Sequence, residues 1–421
     1  MKTSRMGSRV GVILIAAIVA LSALGCSGAA TSTPSPKSTV KQENVEMVNP
    51  KLVAANTRFG FKLFSEILKK DTQKNVFVSP SSVAIALSMT YNGASGETQQ
   101  AMANALQLQG LSLSELNQAN ANLKTNLEKG DPSVTVAIAN SLWARNGVSF
   151  NSEFIKRNQT FYDAEIKTLD FNSAAAPREI NGWVNEKTNG KISEIIDQIR
   201  PDQVMFLINA IYFNGKWTNE FDKNQTEARS FYLANGKEKQ HPLMQQKGKY
   251  RYYENDQFQA VSLPYGNEQM SLYLFLPSQK SSLSDFHKTL NSENWQTWMG
   301  QFSQRQGSVQ IPRFKLSYDI ELKEALSALG MAVAFDKSKA DFSRLSDVET
   351  NINQVKHKTF VEVNEEGTEA AAVTSVGITV TSVQIEEPPF DMVVNRPFFC
   401  AIRDNKTGEI LFMGSIINPN L

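Results

Sequence analysis

The stretch Glu365-Glu-Gly-Thr-Glu-Ala-Ala-Ala-Val-Thr-Ser-Val-Gly-Ile-Thr-Val-Thr-Ser-Val-Gln-Ile-Glu-Glu-Pro-Pro-Phe390 decides the reading of this chain. It follows a strand signal at residues 359–363 and opens with two acids and Gly367. Three alanines, Ala370, Ala371 and Ala372, come next, then a β-branched run closed by Pro388 and Pro389. Side chains alternate faces along a strand. The even positions from Thr368 are Thr368, Ala370, Ala372, Thr374, Val376, Ile378 and Val380, with no charge and no proline among them. The odd positions, with Glu369, Ser375, Thr379 and Thr381, are more polar. Such a segment suits entry into a sheet with its even face inward. Periodicity alone also allows an ordinary hairpin or edge strand.

Outward from it, composition closes several doors. The chain has 421 residues, with 43 Lys+Arg against 42 Asp+Glu, 3 His and 2 Cys. A formal charge of +1 gives no general pull toward nucleic acid. Two cysteines cannot form a disulfide framework or a four-thiolate zinc site. His241, His287 and His357 lie too far apart in sequence to make a local metal-ligand set. There is no Gly-x-Ser-x-Gly elbow, no phosphate loop, no Gly-x-Gly-x-x-Gly and no His-Glu-x-x-His. The basic and aromatic run at residues 247–253 reads as a strand face.

The first residues read as an address. Lys2, Arg5 and Arg9 precede an uncharged apolar run at residues 10–24, shorter than the roughly 20 residues a span needs. Ala23-Leu-Gly-Cys26 resembles a lipoprotein cleavage box, with Cys26 as the lipidated residue and Ala23 where Leu is more usual. The expectation is a lipoprotein signal peptide over 1–25, a Ser/Thr/Pro-rich tether over 26–46 and one large domain over 47–421. Removing residues 1–25 leaves 43 − 3 = 40 basic against 42 acidic side chains, a charge of −2. Cys400, in the apolar run Phe398-Phe-Cys-Ala-Ile402, reads as a buried core residue.

Helical spacing is clearest in the N-terminal half, at Phe59, Leu63, Phe64, Ile67 and Leu68, and after the cap signal Ser79-Pro80. Residues 179–196 read as a helix interrupted at Gly190. Strand patterns dominate later, at 205–213, 270–277, 309–314, 359–363 and 410–413, with an earlier one at 134–138. Several are apolar on both parities, as in sheets covered on both faces. The class is α+β.

The segment Glu365-Glu-Gly-Thr-Glu-Ala-Ala-Ala372 closely resembles the reactive-loop hinge of the serpins. Further blocks in family order are similar: Asn75-Val-Phe-Val-Ser-Pro-Ser-Ser82, Ile180-Asn-Gly-Trp-Val-Asn-Glu-Lys-Thr-Asn-Gly-Lys-Ile192, Asn209-Ala-Ile-Tyr-Phe-Asn-Gly-Lys-Trp217 and Asn395-Arg-Pro-Phe-Phe399. So are Leu329-Gly-Met331, Ala340-Asp-Phe-Ser343 and Leu411-Phe-Met-Gly-Ser-Ile-Ile-Asn-Pro419. The resemblance runs from about residue 50 to the C-terminus. It implies a helical N-terminal part, a central five-stranded sheet A, further sheets B and C, and an exposed reactive-centre loop at about 367–389.

It also implies function. A serpin offers its loop to a protease, then inserts the loop into the main sheet once the acyl-enzyme has formed. The resemblance places the hinge at Glu365, Glu366, Gly367, Thr368, Glu369, Ala370, Ala371 and Ala372. It places the scissile bond at Thr381–Ser382, with Val380 beside it. Ser79, Ser82, Asn209 and His357 map onto a polar cluster that holds the sheet closed. Trp217 would sit under the loop's entry point, and Arg313 would face Glu365. The implied partner is an elastase-like or subtilisin-like serine protease, bound covalently, with the membrane reached through lipidated Cys26. The chain is expected to be a monomeric inhibitor on the outer face of a prokaryotic envelope. No turnover chemistry, cofactor, metal or nucleic acid enters this reading. The alternatives are a non-inhibitory serpin used for binding or as a chaperone, and an inhibitor of cysteine proteases.

Overall fold

The computed structural model describes residues 47–368 and 388–421. In chain order the first part holds α1 (Pro50–Lys70), β1 (Val76–Val78), α2 (Pro80–Tyr91), α3 (Gly96–Ala105), α4 (Leu113–Lys129), β2 (Val134–Arg145), α5 (Ser152–Tyr162), β3 (Glu165–Leu169) and α6 (Ala176–Lys187). Then come β4 (Met205–Lys216), β5 (Glu227–Tyr232), β6 (Glu238–Glu254), β7 (Phe258–Tyr265) and β8 (Met270–Pro277). The short helices α7 (Leu283–Thr289) and α8 (Ser292–Met299) lead to β9 (Ser303–Pro312), β10 (Phe314–Glu321) and α9 (Lys323–Leu326). The rest is β11 (Gln354–Val363), β12 (Gly367–Thr368), β13 (Phe390–Val393), β14 (Phe398–Asp404) and β15 (Ile410–Ile416).

Two sheets organise the chain. The first runs β10-β11-β4-β2-β3, with the two-residue β12 pairing onto β4. Its central strands are buried on both faces. On β4, Phe206, Ile208 and Ala210 join a core with Ile180 and Val184 of α6. Leu207, Ile211 and Phe213 face the larger core with α2. That two-sided burial explains why residues 205–213 show no polar face. Asn209 is the exception, a polar residue in the middle of a buried strand.

The second sheet has nine strands, in the order β1-β15-β14-β8-β7-β6-β9-β13, with β5 paired to β6. The expected sheets B and C are therefore hydrogen-bonded into one, because the 17-residue β6 reaches from β7 at one end to β5 at the other. The strand expected over 309–314 is two strands. β9 ends at Pro312 in the nine-stranded sheet, and β10 starts at Phe314 in the other. Arg313 is the single residue at the crossing.

The helix expected over 179–196 ends at Lys187. Asn189 and Gly190 take φ of +50° and +79°, which no α-helix continues through. The chain folds back instead. Asn181 accepts from the backbone N–H groups of Ile195 and Ile196, at 2.9 and 3.0 Å, and donates to Ile196 O at 2.8 Å. Apolar residues 192, 195 and 196 still reach the core, which is why their spacing mimics a helix.

Candidate functional site

Two polar clusters lie along β4. The first sits where α2 points its N-terminus at the sheet. Ser79 caps the helix, accepting from Ser82 N–H at 3.3 Å, and Pro80 takes the first turn, where its missing N–H is harmless. Register then aligns three strands. His357 on β11 lies opposite Asn209 on β4, which lies opposite Asn140 on β2. Ser79 N–H donates to His357 Nε2 at 3.0 Å, so Nε2 is the bare nitrogen. Nδ1 therefore carries the proton and donates to Asn209 Oδ1 at 2.6 Å. Asn209 Nδ2 donates to Ser82 Oγ at 2.5 Å and Asn140 Oδ1 at 2.7 Å, with Ser82 O at 3.1 Å. Complete burial holds the imidazole neutral, its pKa lowered to about 3. Both ring nitrogens are engaged and the ring is fully buried, so the group acts as a clasp. Beside it, Thr359 Oγ1 donates to Phe77 O at 2.6 Å, fastening β11 to β1.

The second cluster lies at the far end of β4, six residues or roughly 20 Å further on. Beyond Ile211 and Thr359 the pairing of β4 with β11 stops. The chain leaving β11 turns at Asn364–Gly367 and returns against β4. Gly367 pairs with Lys216 and Thr368 with Gly215, both antiparallel. Gly367 has φ +147°, and a Cβ there would lie 2.2 Å from Gly215 O. Only glycine fits. Thr368 is fully buried, with its hydroxyl 2.8 Å from that of Tyr265.

The turn is fastened on every side. Trp217 lies beneath it: its backbone N–H donates to Glu366 O at 3.1 Å and its indole N–H to Asn364 O at 2.8 Å. Its ring stacks on Tyr265, with centroids 4.5 Å apart. Phe221 N–H donates to Glu365 O at 2.8 Å. The Glu365 carboxylate, only 2% exposed as a residue, accepts from Arg313 Nε at 2.6 Å and from the Thr226 hydroxyl. Glu366 pairs with Lys223 at the surface. Arg313 reaches this carboxylate because it stands at the crossing from β9 to β10.

Of the residues singled out from sequence, Ser79, Ser82, Asn209 and His357 come together in the first cluster. Trp217, Arg313, Glu365, Glu366, Gly367 and Thr368 come together in the second. Gly367 and Thr368 are buried strand residues, so the exposed part of the expected loop starts no earlier than residue 369. Glu369, Ala370, Ala371, Ala372, Val380, Thr381, Ser382 and Cys26 lie outside the described residues. Asn140, Tyr265 and Lys223 were not foreseen. Asn140 and Tyr265 join only through strand register, which no local pattern reveals. Where the chain resumes, Arg305 donates through Nε and Nη2 to Pro388 O at 3.1 and 3.0 Å. Cys400 is fully buried and its thiol is pushed up by burial, which suits a core residue.

Comparison with known proteins gives the same picture. The model of the family Serpin (serine protease inhibitor) matches residues 54–419. Serpin B6 of Pongo abelii is 36% identical over 377 residues, covering 87% of this chain and 99% of its own. The leukocyte elastase inhibitor of Bos taurus is 34% identical over 381 residues, covering 87% and 99%. Among solved structures, the thermophilic serpin tengpin in its native state superposes with a TM-score of 0.81 at 32% identity, covering 89% of this chain and 95% of that one. With a family model spanning most of its length and relatives above 30% identity, the chain belongs to the serpin family.

Proposed function

We propose that this serpin is a suicide-substrate inhibitor of extracellular serine proteases of elastase-like or subtilisin-like specificity. The observation that carries this reading is β12. Gly367 and Thr368 already occupy the first two places of a strand on the free end of β4, in the gap where β11 has parted from it. The residues that follow have small or apolar side chains at every even position. Continuing the antiparallel pairing of β12 down β4 would bury Ala370, Ala372, Thr374, Val376, Ile378 and Val380 in the sheet.

The chemistry belongs to the target. Its serine Oγ attacks the Thr381 carbonyl, the Thr381–Ser382 bond breaks, and the Ser382 amine leaves with the proton from the protease's histidine. The product is an ester between Thr381 and the protease. Insertion of residues 369–380 then carries that ester away from the loop's starting place. A protease pulled out of register with its own oxyanion hole hydrolyses the ester slowly. A small β-branched residue at 381 suits a shallow primary pocket. The chain supplies no catalytic group of its own. Anchoring through a lipidated Cys26, as a monomer outside a prokaryotic cell, completes the proposal; a Cys26→Ser variant would then leave the membrane fraction.

Titration with pancreatic elastase and with subtilisin tests it. The expected result is a band at the summed mass that survives boiling in detergent, with a new N-terminus at Ser382. Complete cleavage without that band would support a non-inhibitory role instead. A cut elsewhere than within 380–382 would overturn the specificity assignment.

A further inference from the structure

A cavity of about 640 Å³ lies away from both clusters, between α1, α7 and the chain entering β14. That falls in the range of roughly 300–1,000 Å³ typical of small-molecule sites. One wall is a helical stripe of α1, Phe61, Phe64 and Leu68, and Leu283 of α7 and Leu290 just after it line the same space. Four cations line the cavity: Lys69, Lys74, Lys288 and Arg396. Three have an acid of their own, Lys69 with Glu66 at 2.6 Å, Lys74 with Asp71 at 3.0 Å and Lys288 with Asp285 at 2.7 Å.

Arg396 differs. It is half-buried and has no carboxylate within ion-pair distance among the described residues. Nε and Nη2 donate to Pro277 O at 3.0 and 2.7 Å, and Nη1 donates to Asn395 Oδ1 at 3.2 Å. A guanidinium has five N–H groups, so two remain, one on each terminal nitrogen. Because Nε and Nη2 share Pro277 O along one edge, the remaining N–H of Nη2 lies on the end of the fork, where a carboxylate oxygen can meet it. A half-buried charge without a counter-ion is costly, and a bound counter-charge reduces that cost. His287 adds an unsatisfied polar atom, since its Nε2 is buried and has no hydrogen-bond partner.

We infer that this cavity is a binding site for an amphipathic organic carboxylate, its head on the free edge of Arg396 and its hydrocarbon tail along Phe61, Phe64 and Leu68. Binding there would brace the junction of α1 with the segment that follows the reactive loop, because Arg396 lies only three residues beyond β13.

The test is calorimetric titration of the full folded domain with decanoate, decan-1-ol and acetate. Decanoate should bind at least 10-fold more tightly than either of the others. Leu68→Trp, which fills the groove from a half-buried helical position, and Arg396→Met should each weaken decanoate at least 10-fold. If Arg396→Met loses its fold by circular dichroism, Leu68→Trp and the decanol comparison still decide. No binding of decanoate, equal binding of decanol, or decanoate binding untouched by Leu68→Trp would overturn the site.

Discussion

His357, His287 and Glu409 are three buried groups through which the molecule answers pH. Burial lowers the two histidines to about 3 and about 4 and raises Glu409 to about 8. Glu409 is fully buried with Asn56 donating to Oε1 at 3.1 Å and no partner on Oε2. Between pH 4.5 and 6.5, the ordinary values of these groups, the unfolded chain binds two histidine protons that the fold refuses, while the fold keeps one on Glu409 that the unfolded chain loses. The unfolded state thus holds one more proton, and these groups make stability rise with pH by about 1.4 kcal/mol per unit. From 6.5 to about 8 only Glu409 differs, the fold holds the extra proton, and stability falls with pH. These three groups place their combined maximum near pH 6.5, and Glu409→Gln should flatten the alkaline side of the urea unfolding midpoints. In the clasp, Asn209→Ala would strand the His357 Nδ1–H without an acceptor and lower stability by about 1–3 kcal/mol, read from the same midpoints. Ser79, Ser82, Asn209 and His357 were legible in the sequence because each lies in, or beside, a recognisable block. Asn140 was not, because its place opposite Asn209 depends on the register of β2 against β4.

At the scale of elements, the turn between β11 and β12 is the part that decides function. Gly367→Ala would drive a Cβ to within 2.2 Å of Gly215 O at a φ disfavoured for any other residue. We expect β12 to leave β4, at a cost of about 1–3 kcal/mol, with a change in Trp217 fluorescence as the bond from its indole to Asn364 O is lost. Thr368→Arg is a poor probe of insertion, because Thr368 is buried before any cut. Thr374→Arg is the cleaner one. It adds a charge to the even face of the loop, so insertion would have to bury it, and the stoichiometry of inhibition should shift toward simple cleavage. Retained trapping by that variant would contradict insertion. The hinge was readable as glycine, small residues and parity. The early pairing of Gly367 and Thr368 was not, because it depends on β11 and β4 parting after Thr359 and Ile211. Helix α6 was misjudged for a related reason. Ile192, Ile195 and Ile196 satisfy helical spacing while the backbone, reversed at Asn189 and Gly190, reaches the same core by another path.

On the scale of the whole molecule, the two sheets meet at few chain crossings, and one of them, Arg313, also holds the hinge through Glu365. The sheet is closed near its middle by the His357 clasp and parted at its end, where β12 waits. In the proposed mechanism the fold before cleavage is therefore held kinetically short of its most stable pairing. The α+β class and the double burial of β4 could be read from the chain. The fusion of the outer sheets could not, because nothing in the 17 residues of β6 marks where one partner strand gives way to the next.

Thermal unfolding before and after one cut near residue 381 tests the central claim most directly. A metalloprotease makes the cut without an acyl-enzyme. Burial of Val376, Ile378 and Val380 alone contributes roughly 5–9 kcal/mol, which at about 1.3 °C per kcal/mol for a domain of about 375 residues raises Tm by on the order of 6–12 °C. A clear rise of that size is the predicted result. A cleaved chain that melts at or below the temperature of the intact one would contradict insertion of this loop into this sheet.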